Sequence, residues 1–330
     1  MAPPQLPSAS SQLPFFLAGP TAVGKSAVAL ELAEKIGGEI ITVDSMQVYR
    51  GLDIGTAKPT PAERARVPHH LIDVCDLHEA FDAAQFIQLA QKAVAEIQAR
   101  GHTPVFCGGT GLYFKAFLAG LGEAPPSDEK LRAELAATPL ETLLAELREK
   151  DLESFEQIDR NNPRRVIRAV AVIRLTGKPF SAQKSRWGET PGEPASPATS
   201  GSRGRSPHQP NLRSETIFCF MRPAEDLHRR INVRVDEMFA RGLVDETREL
   251  LKHGLAENIF AMQAIGYRQV VEHLRDERDL AATIELVKSR TRQFAKRQLT
   301  WFRRHGNCQW IELPPDEAVE ATVARIIVQK

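Results

Sequence analysis

The chain has 330 residues, a formal net charge of +1, and apolar side chains at 42 % of its positions. That length allows one large domain or two modest ones with a sizeable core. The near-balanced charge excludes a strongly basic or acidic protein, so any basic surface for a nucleic acid must be local.

The sequence does not indicate membrane insertion or a disulfide framework. No apolar run reaches membrane-spanning length, and residues 1–14 lack the apolar core of a signal peptide. The four cysteines form no C-x-x-C pair, so their spacing suggests neither a zinc ribbon nor a disulfide framework. Cys107 and Cys219 sit in apolar runs and are interpreted as small core residues. We expect a cytoplasmic protein, and a monomer because no apolar stripe is left unexplained.

The first third of the chain alternates short apolar runs with helical patterns. Residues 1–14, rich in Pro, Ser and Gln, are predicted to form a disordered tail. The elements predicted next are a strand at Phe15–Ala18, a helix at Lys25–Ile36, a strand at Ile40–Val43, a helix at Phe81–Arg100 and a strand at Pro104–Cys107. This alternation over residues 15–118 predicts an α/β fold with a parallel sheet, whose ligands gather at the carboxyl ends of the strands.

The rest of the chain is predicted to contain an insertion, a linker and a return to the sheet. Residues 119–180 are predicted to be a helical insertion, with helix starts at Ser127, at the capping-box spacing Thr138–Glu141 and at Asn162-Pro163. Residues 181–213 are predicted to be a disordered linker, since Gly, Pro, Ser, Thr and Arg dominate from residue 187. Residues 214–330 return to the core, with a strand at Thr216–Met221, helices at Ala224–Arg241, Val244–His253, Ala264–Leu274 and Leu280–Arg304, and an edge strand at Gln309–Leu313.

A glycine-rich loop follows the first strand and precedes the first helix. Its residues match G-x-x-x-x-G-K-[ST]: Gly19, Pro20, Thr21, Ala22, Val23, Gly24, Lys25 and Ser26. In such a P-loop the backbone N–H groups and the helix N-terminus surround an anion, the lysine adds a full charge, and the serine hydroxyl can bind Mg²⁺. The motif predicts a bound di- or triphosphate but does not say which reaction uses it.

Two further polar groups stand at predicted strand ends. Asp44 follows the second strand beside the expected phosphate site, where it could act as a base or an indirect metal partner, or could cap the following segment. Thr110 lies in the turn Gly108–Tyr113, which either brings a hydroxyl and N–H groups to the same edge or is an ordinary strand-to-helix turn. The sequence alone leaves both alternatives open.

A local excess of positive charge lies near the C-terminus. Residues 288–304 contain seven cations and no acid: Lys288, Arg290, Arg292, Lys296, Arg297, Arg303 and Arg304. Arg297 falls near one helical face with Arg290, Phe294 and Trp301, a pattern that suits phosphate contacts and base stacking. The alternative is a solvated charged face with both aromatic residues in the core. A second basic patch lies on the last helix of the insertion, at Arg164, Arg165 and Arg168.

Together these segments resemble one family, the tRNA dimethylallyltransferases or tRNA isopentenyltransferases, in its bacterial form. The resemblance runs from Phe15 to about Trp310 and is carried by the P-loop, Asp44–Arg50 with Gly51–Pro59, Pro68–Asp73, Gly108–Tyr113, Arg165–Ala169, Ala264–Arg268 and Ala295–Phe302. It implies a P-loop NTPase-like, nucleotide-kinase-like core with flanking helices and a helical insertion domain. It also implies transfer of a dimethylallyl group from dimethylallyl diphosphate to the exocyclic amine of adenosine 37, 3′-adjacent to the anticodon, in tRNAs reading codons that begin with U. ATP would not be consumed.

The resemblance also implies roles for individual residues. Lys25 and Mg²⁺ near Ser26 would neutralise the leaving diphosphate, Asp44 would be the general base, and Thr110 would touch both substrates. The residues that match tRNA-contacting segments are Asp44, Ser45, Met46, Gln47, Thr110, Arg132, Arg164, Arg165, Val166, Ile167, Arg168, Gln263, Ala264, Ile265, Gly266, Tyr267, Arg268, Lys296, Arg297, Gln298, Leu299, Thr300, Trp301 and Phe302. The expected partners are the tRNA anticodon stem-loop and dimethylallyl diphosphate, with no membrane and no obligate protein partner.

The chain departs from the family pattern at Ala224, where the family commonly has Arg in a Pro-Arg-x-x-Leu run. Arg222, Arg230 or Arg234 could supply that charge, and the sequence does not choose among them. The linker is also longer than usual, and no zinc finger follows the core.

Three other functions remain as alternatives: a small-molecule or nucleoside kinase, an isopentenyltransferase for free adenine nucleotides, and an RNA-binding protein with a degenerate P-loop. The kinase would consume ATP. The basic helix and the insertion argue against the second alternative, because a mononucleotide needs neither. The intact Lys25, Ser26 and Asp44 argue against the third.

Overall fold

The computed structural model describes residues 13–120, 128–160, 163–184, 216–258, 260–305, 307–315 and 317–329. They form two compact units, one drawn from residues 1–118 and 211–330 and the other from residues 119–210. The predicted tail 1–14 and linker 181–213 lie almost wholly outside the described residues, although Ser181–Lys184 form a short helix where the linker was expected to begin. The predicted domain boundaries therefore stay predictions.

The first unit is built on a six-stranded sheet. Its strands are β1 (Phe15–Ala18), β2 (Gly38–Val43), β3 (His69–His70), β4 (Thr103–Gly108), β5 (Ile217–Met221) and β6 (Cys308–Glu312). They pair in the order β3-β2-β4-β1-β5-β6, and every pairing is parallel. β1 pairs with β4, so the loops that follow these two strands meet at one carboxyl edge. The predicted parallel α/β fold and its C-terminal edge strand are confirmed.

The structure contains the predicted helices and several further ones. In chain order they are α1 (Lys25–Ile36), α2 (Pro61–Arg66), α3 (Ala83–Ala99), α4 (Gly111–Ala119), α5 (Glu129–Ala137), α6 (Leu140–Lys150), α7 (Leu152–Gln157), α8 (Pro163–Thr176), α9 (Ser181–Lys184), α10 (Ala224–Ala240), α11 (Leu243–Lys252), α12 (Tyr267–Leu274), α13 (Leu280–His305) and α14 (Val319–Gln329). None of the helices in the described ranges has the length and apolar character needed to cross a membrane. α12 begins at Tyr267 and not at the predicted Ala264, because the backbone of Gly266, with a φ of 102°, is not helical.

Both faces of the sheet are covered by apolar packing. On β1, Phe16 belongs to one buried cluster and Leu17 to the other. On β4, Phe106 and Val105 divide between the same two clusters. Strands that are buried on both faces have continuous apolar runs, which is the pattern that the sequence shows. The insertion has a smaller apolar cluster of its own, contributed mainly by α6 and α8.

Two predicted helix starts in the insertion differ from the structure. The side chain of Asp128 caps α5, and Ser127 lies outside the described residues. Pro139 is the N-cap of α6 and no side chain caps this helix. The hydroxyl of Thr138 instead donates to the Glu134 carbonyl oxygen of the preceding helix, so the predicted capping box is wrong.

Cys219 on β5 and Cys308 on β6 form a disulfide, with Cα atoms 5.6 Å apart. The sequence did not suggest this pair, because 89 residues separate the two cysteines and only strand pairing brings them together. Cys219 is a buried core residue, as expected, but the spacing argument against a disulfide is wrong for this pair. Cys107 is a free, buried thiol, and burial raises its pKa to about 11.

A buried ion cluster lies at the amino end of β2. Glu39 is 2 % exposed, and its carboxylate accepts hydrogen bonds from Arg100 (2.9 and 2.7 Å), His70 (2.6 Å) and His102 (2.7 Å). Burial alone would raise the pKa of Glu39, but these hydrogen bonds outweigh it and lower the pKa to about 2. The cluster joins β2 to β3 and to the segment between α3 and β4, so it stabilises the sheet edge opposite to the carboxyl edge.

We predict that Glu39→Gln lowers the free energy of unfolding at pH 7 by about 2–3 kcal/mol, since Arg100 loses its buried anion. The pKa of Glu39 in the folded protein lies below the ordinary value of 4.5, so the stabilisation by Glu39 is fully present above pH 4.5 and is lost as the pH falls towards 2. Denaturant unfolding at pH 7 and at pH 3 measures the loss of stability and its pH dependence. The free energies of unfolding of the wild type and Glu39→Gln should differ less at pH 3 than at pH 7. The control, Glu34→Gln, breaks an exposed pair with Arg66 and should change stability little. Equal losses in the two variants would contradict this account.

Candidate active site

The P-loop forms the turn between β1 and α1. Its backbone has a positive φ at Gly19 (156°), Ala22 (62°) and Gly24 (109°). A Cβ on Gly19 would also lie 3.1 Å from the Phe220 carbonyl oxygen, so this position requires glycine. No side chain caps α1, and no acid lies in its first turn. The first N–H groups of α1 therefore remain open to an anion.

Two arginines hold carbonyl groups of the P-loop. Arg230 Nε donates to the Ala22 carbonyl oxygen at 2.9 Å, and Arg222 Nε donates to the Val23 carbonyl oxygen at 2.7 Å. In a planar trans peptide the carbonyl and the next N–H point in opposite directions, so these bonds turn the N–H groups of Val23 and Gly24 away from the arginines. No local sequence pattern predicts these bonds, because the partners are 208 and 199 residues apart.

Lys25 is partly buried at the start of α1. Its Nζ donates to the Pro20 carbonyl oxygen at 3.2 Å. Burial lowers the pKa of its ammonium group, Arg234 acts in the same sense, and Cys107 and Asp44 act in the opposite sense. A bound diphosphate would add the negative charge that favours the ammonium form.

A cavity of about 560 Å³ opens beside Lys25, between the P-loop and α10. Its lining includes five cations: Lys25, Arg229, Arg230, Arg234 and Arg241. Glu237 is the one acid among the described lining residues, and Ala57, Val233 and Met238 add apolar surface. This size and charge suit a small anionic ligand with an apolar part. Arg229 and Arg241 were not anticipated from the sequence.

The carboxylate of Asp44, just after β2, is only partly used by the protein. Its Oδ1 accepts the N–H groups of Met46 (2.8 Å) and Gln47 (3.3 Å), so it caps a turn, whereas the capping alternative expected a helix that residues 45–50 do not form. Its Oδ2 has no hydrogen-bond partner within the described part of the chain. Asp44 also lies close enough to Lys25 and Arg234 to favour their charged forms. The capping bonds therefore orient the side chain while leaving one oxygen for a ligand.

The glycine-rich turn after β4 lies against the end of β2. The N–H groups of Gly109 and Thr110 both donate to the Val43 carbonyl oxygen at 3.2 Å. The Thr110 hydroxyl oxygen accepts the N–H of Ser45 at 3.2 Å. Because this oxygen already accepts a hydrogen bond, its own proton can be donated to a ligand. The turn thus brings a hydroxyl to the segment that carries Asp44.

Helix α13 packs against both glycine-rich turns. The side chain of Gln298 accepts the N–H of Thr21 at 2.9 Å and donates to the Gly109 carbonyl oxygen at 3.0 Å. Trp301 lies against Gly111, where an added Cβ would collide with the indole ring. The resemblance placed Gln298 in a tRNA-contacting segment, but its side chain is buried and faces the two turns. Both polar atoms of this side chain are thus engaged by the two turns, and its contact with tRNA stays a prediction.

Other residues of those segments also have buried side chains, at most 5 % exposed: Val166, Ala264, Tyr267 and Phe302. Tyr267 donates its hydroxyl proton to Glu246 at 2.6 Å and accepts the N–H of Gly55 at 3.1 Å. It therefore holds the Gly51–Pro59 loop in place. These four side chains pack beneath the protein surface, and the expectation that their segments line the tRNA stays a prediction.

The remaining residues of the tRNA-contacting segments divide by exposure. Those with exposed side chains are Arg165, Gln263, Arg268, Lys296 and Arg297. Those with partly exposed side chains are Asp44, Ser45, Met46, Gln47, Thr110, Ile167, Arg168, Ile265, Leu299, Thr300 and Trp301, whereas Gly266 is buried. The side chains of Arg132 and Arg164 lie outside the described part of the structure. Exposure of these side chains does not by itself test a contact with tRNA, so the expected contacts stay predictions.

The cations of α13 are used in two ways. Some bind neighbouring groups: Lys288 pairs with Asp236 and Glu285, Arg292 donates to Asn232, and Arg303 lies over the ring of Trp310. The remaining four, all exposed, are Arg290, Lys296, Arg297 and Arg304. The guanidinium of Arg297 lies 5.8 Å from the ring centroid of Phe294, which is 36 % exposed. The alternative that placed Phe294 in the core is wrong, and this cation–aromatic pair faces solvent.

The fold and the site together define a protein of the P-loop NTPase-like class. A P-loop follows a central parallel strand, and a basic cavity opens beside it. A carboxylate and a hydroxyl stand at the neighbouring strand ends, where proton transfer to or from a second substrate could occur.

Comparison with known proteins identifies the family. Residues 47–305 match the family model described as IPP transferase. The tRNA dimethylallyltransferase 1 of Trichlorobacter lovleyi is 44 % identical over 306 residues, which cover 92 % of this chain and 94 % of the relative. The chain therefore belongs to the IPP transferase family, and it is a transferase.

Solved structures show the same architecture. The full-length tRNA isopentenylpyrophosphate transferase of Bacillus halodurans matches with a TM-score of 0.65 and 36 % identity, covering 96 % of this chain and 94 % of that one. A eukaryotic dimethylallyltransferase described as acting on tRNA matches with a TM-score of 0.73 and 25 % identity, covering 96 % of this chain and 80 % of that one. The family and the fold expected from the sequence are confirmed.

We predict that Arg234→Met weakens binding of inorganic pyrophosphate by about 10- to 100-fold, because a charged hydrogen-bond donor is lost beside Lys25. Isothermal titration calorimetry on the folded protein, checked by circular dichroism, measures the affinity. Arg241→Met is the matched control, since Arg241 lines the same cavity but is exposed. It should weaken binding by less than about threefold. A larger effect at Arg241 than at Arg234 would contradict the placement of the anion.

Proposed function

We propose that this transferase moves a dimethylallyl group from dimethylallyl diphosphate to the exocyclic amine of adenosine 37 of tRNA, 3′-adjacent to the anticodon, in tRNAs reading codons that begin with U. One observation supports this reaction beyond family membership. A cavity lined by five cations opens at the P-loop, and Asp44, with one oxygen unused, lies near Lys25 and Arg234. An anion site next to a base suits a reaction in which diphosphate leaves and an amine loses a proton.

The donor binds, in this proposal, with its diphosphate against the P-loop. The N–H groups at the start of α1 and the ammonium of Lys25 stabilise the negative charge that develops as the carbon–oxygen bond breaks. Arg230 and Arg234 add positive charge from α10 and compensate for Ala224. Arg222 acts indirectly, since its guanidinium is engaged by the Val23 carbonyl oxygen and by Asp226.

The acceptor amine is a weak nucleophile, because its lone pair is delocalised into the adenine ring. As the carbon–nitrogen bond forms, Oδ2 of Asp44 takes the proton that the amine loses, and diphosphate leaves with the electron pair of the broken bond. The Thr110 hydroxyl donates a hydrogen bond that helps to position the reactants. The target base must leave the anticodon stack to reach these groups.

Mg²⁺ fits the oxygen donors of this cavity. The Ser26 hydroxyl lines it and has no hydrogen-bond partner among the residues that the structure describes. Mg²⁺ prefers oxygen ligands and retains several waters, so Ser26 and the diphosphate oxygens would be suitable ligands. When bound, the ion would neutralise part of the diphosphate charge.

The tRNA is proposed to bind to exposed cations rather than to the buried parts of the family segments. On α13 these are Arg290, Lys296, Arg297 and Arg304, and in the insertion Arg165 is exposed. Phosphate contacts from such residues position a nucleic acid without reading its sequence. We propose that the protein acts as a monomer in the cytoplasm, where unmodified tRNA is available.

The reaction is tested by incubating the purified protein with unmodified tRNA, dimethylallyl diphosphate, ATP and AMP, each alone and in pairs. Mass analysis of the digested tRNA should show one added dimethylallyl group on the nucleoside next to the anticodon, only when dimethylallyl diphosphate is present. Transfer of the terminal phosphate of ATP, or prenylation of AMP with unmodified tRNA left unchanged, would overturn the proposal.

We predict that Asp44→Asn lowers kcat by about 10²- to 10⁴-fold, since Asn keeps the capping acceptor for Met46 and Gln47 but cannot take a proton. Affinity for tRNA, measured by gel shift, should change by less than about twofold because no phosphate-binding cation is altered. Asp76→Asn, which breaks an exposed pair with Arg50, serves as the control. An unchanged kcat in Asp44→Asn would remove Asp44 from the role of base.

We predict that Arg297→Ala weakens tRNA binding at every salt concentration. The slope of log affinity against log salt concentration should decrease in magnitude by about one, which corresponds to one fewer released counterion. The same titration with Lys92→Ala, whose side chain is 73 % exposed on α3, should leave the slope unchanged. If both variants keep the wild-type slope, Arg297 does not contact a phosphate group of the tRNA.

A further inference from the structure

The side chain of Gln298 connects the two glycine-rich turns of the site. Its Oε1 accepts the N–H of Thr21 in the P-loop at 2.9 Å, and its Nε2 donates to the carbonyl oxygen of Gly109 at 3.0 Å. These two turns follow β1 and β4, which are neighbours in the sheet. One amide group therefore spans the gap between the loop that faces the anion and the turn that carries Thr110.

The position of Gln298 requires both a donor and an acceptor. The side chain is 7 % exposed, so polar atoms placed there must find partners within the protein. A carboxylate could accept from Thr21 but would face the Gly109 carbonyl oxygen with a second acceptor. The amide of Gln298 packs directly against Gly109, because a Cβ added at this glycine would collide with Nε2 of Gln298. The bridge is thus specific for a glutamine on α13 opposite a glycine after β4.

The bridge also selects which P-loop amide is available to a ligand. The N–H of Thr21 is occupied by Gln298 and that of Val23 by the Pro20 carbonyl oxygen at 3.4 Å, whereas Arg222, through the Val23 carbonyl oxygen, turns the N–H of Gly24 away from itself. On the same helix, Lys296 and Arg297 directly precede Gln298 and are exposed. A single helix therefore carries cations for a nucleic acid on its surface and a buried amide that holds the anion loop.

We propose that Gln298 is a positioning residue that fixes the P-loop relative to the turn of Thr110, and so sets the separation of the diphosphate from the groups that handle the acceptor. This inference rests on the proposed function for the identity of the two substrates. In the family segment to which it belongs, Gln298 then acts on diphosphate binding and catalysis, and not through contact with tRNA.

The test uses Gln298→Met, which keeps most of the side-chain volume but removes both hydrogen bonds. We expect inorganic pyrophosphate to bind about tenfold more weakly by calorimetry, the KM for dimethylallyl diphosphate to rise and kcat to fall. Affinity for tRNA should stay within about twofold, because no exposed cation changes. Gln293→Met, an exposed glutamine on the same helix, is the control and should match the wild type in all three measurements.

Two results would overturn the inference. One is unchanged pyrophosphate affinity with weakened tRNA binding, which would make Gln298 a tRNA contact. The other is wild-type behaviour in every measurement. The reaction of the wild type with tRNA tests the proposed function separately. The ratio of the pyrophosphate affinities of wild type and Gln298→Met tests the bridge formed by Gln298, and this ratio does not depend on which molecule accepts the transferred group.

Gly109→Ala tests the same bridge without altering Gln298, should Gln298→Met fail to fold. Its Cβ would displace the amide of Gln298 and would also lie 3.1 Å from the Gly19 carbonyl oxygen, a contact that a small shift relieves. Pyrophosphate affinity should fall as it does in Gln298→Met. Where both single variants fold, the losses should be less than additive in the double variant, because both act through one bridge. Fully additive losses, or unchanged affinity in Gly109→Ala, would contradict the proposal.

Discussion

The close packing of α13 against the turns that follow β1 and β4 is the constraint on which the site depends. Parallel pairing of these strands brings two glycine-rich turns to one edge, and the lack of side chains on Gly109 and Gly111 lets Gln298 and Trp301 approach. A Cβ at either glycine would push the helix away. Strand pairing and the packing of this distant helix therefore together hold the P-loop, the Asp44 carboxylate after β2 and the hydroxyl after β4 at their spacing.

Charge is distributed differently at the two edges of the sheet. At the amino edge, the buried carboxylate of Glu39 is balanced by Arg100 and two histidines, which stabilises the fold. At the carboxyl edge, five cations line a cavity with a single acid among its described lining residues. Like charges held close together repel one another, so an anion that enters this cavity removes an unfavourable interaction. One of these arginines, Arg230, also holds the P-loop, since it donates to the Ala22 carbonyl oxygen.

Local sequence patterns were sufficient to predict the elements that lie close together in the chain. The strand, P-loop and helix from Phe15 to Ile36 have the predicted bounds, because glycine placement and apolar periodicity act over a few residues. Asp44 was placed correctly after β2, and its capping contacts are likewise local. The described part of the predicted insertion contains helices joined by short turns and no strand.

Features that depend on long-range contacts could not be predicted. The bridge by Gln298, the arginine bonds to the P-loop and the Cys219–Cys308 disulfide join residues far apart in the chain. Resemblance to a family segment shows which residue types are shared, but it does not show which side chains point outward. Tyr267 and Phe302 illustrate this limit, because both belong to such segments and both are buried.

The most direct measurement of the central claim is a crystal structure with an unreactive analogue of dimethylallyl diphosphate. The diphosphate should lie against the N–H groups at the start of α1 and the side chains of Lys25 and Arg234, with the Thr21 N–H still bonded to Gln298. The carbon that would be transferred should face Asp44 and Thr110. A diphosphate bound elsewhere, or an allylic carbon directed away from Asp44, would contradict the account.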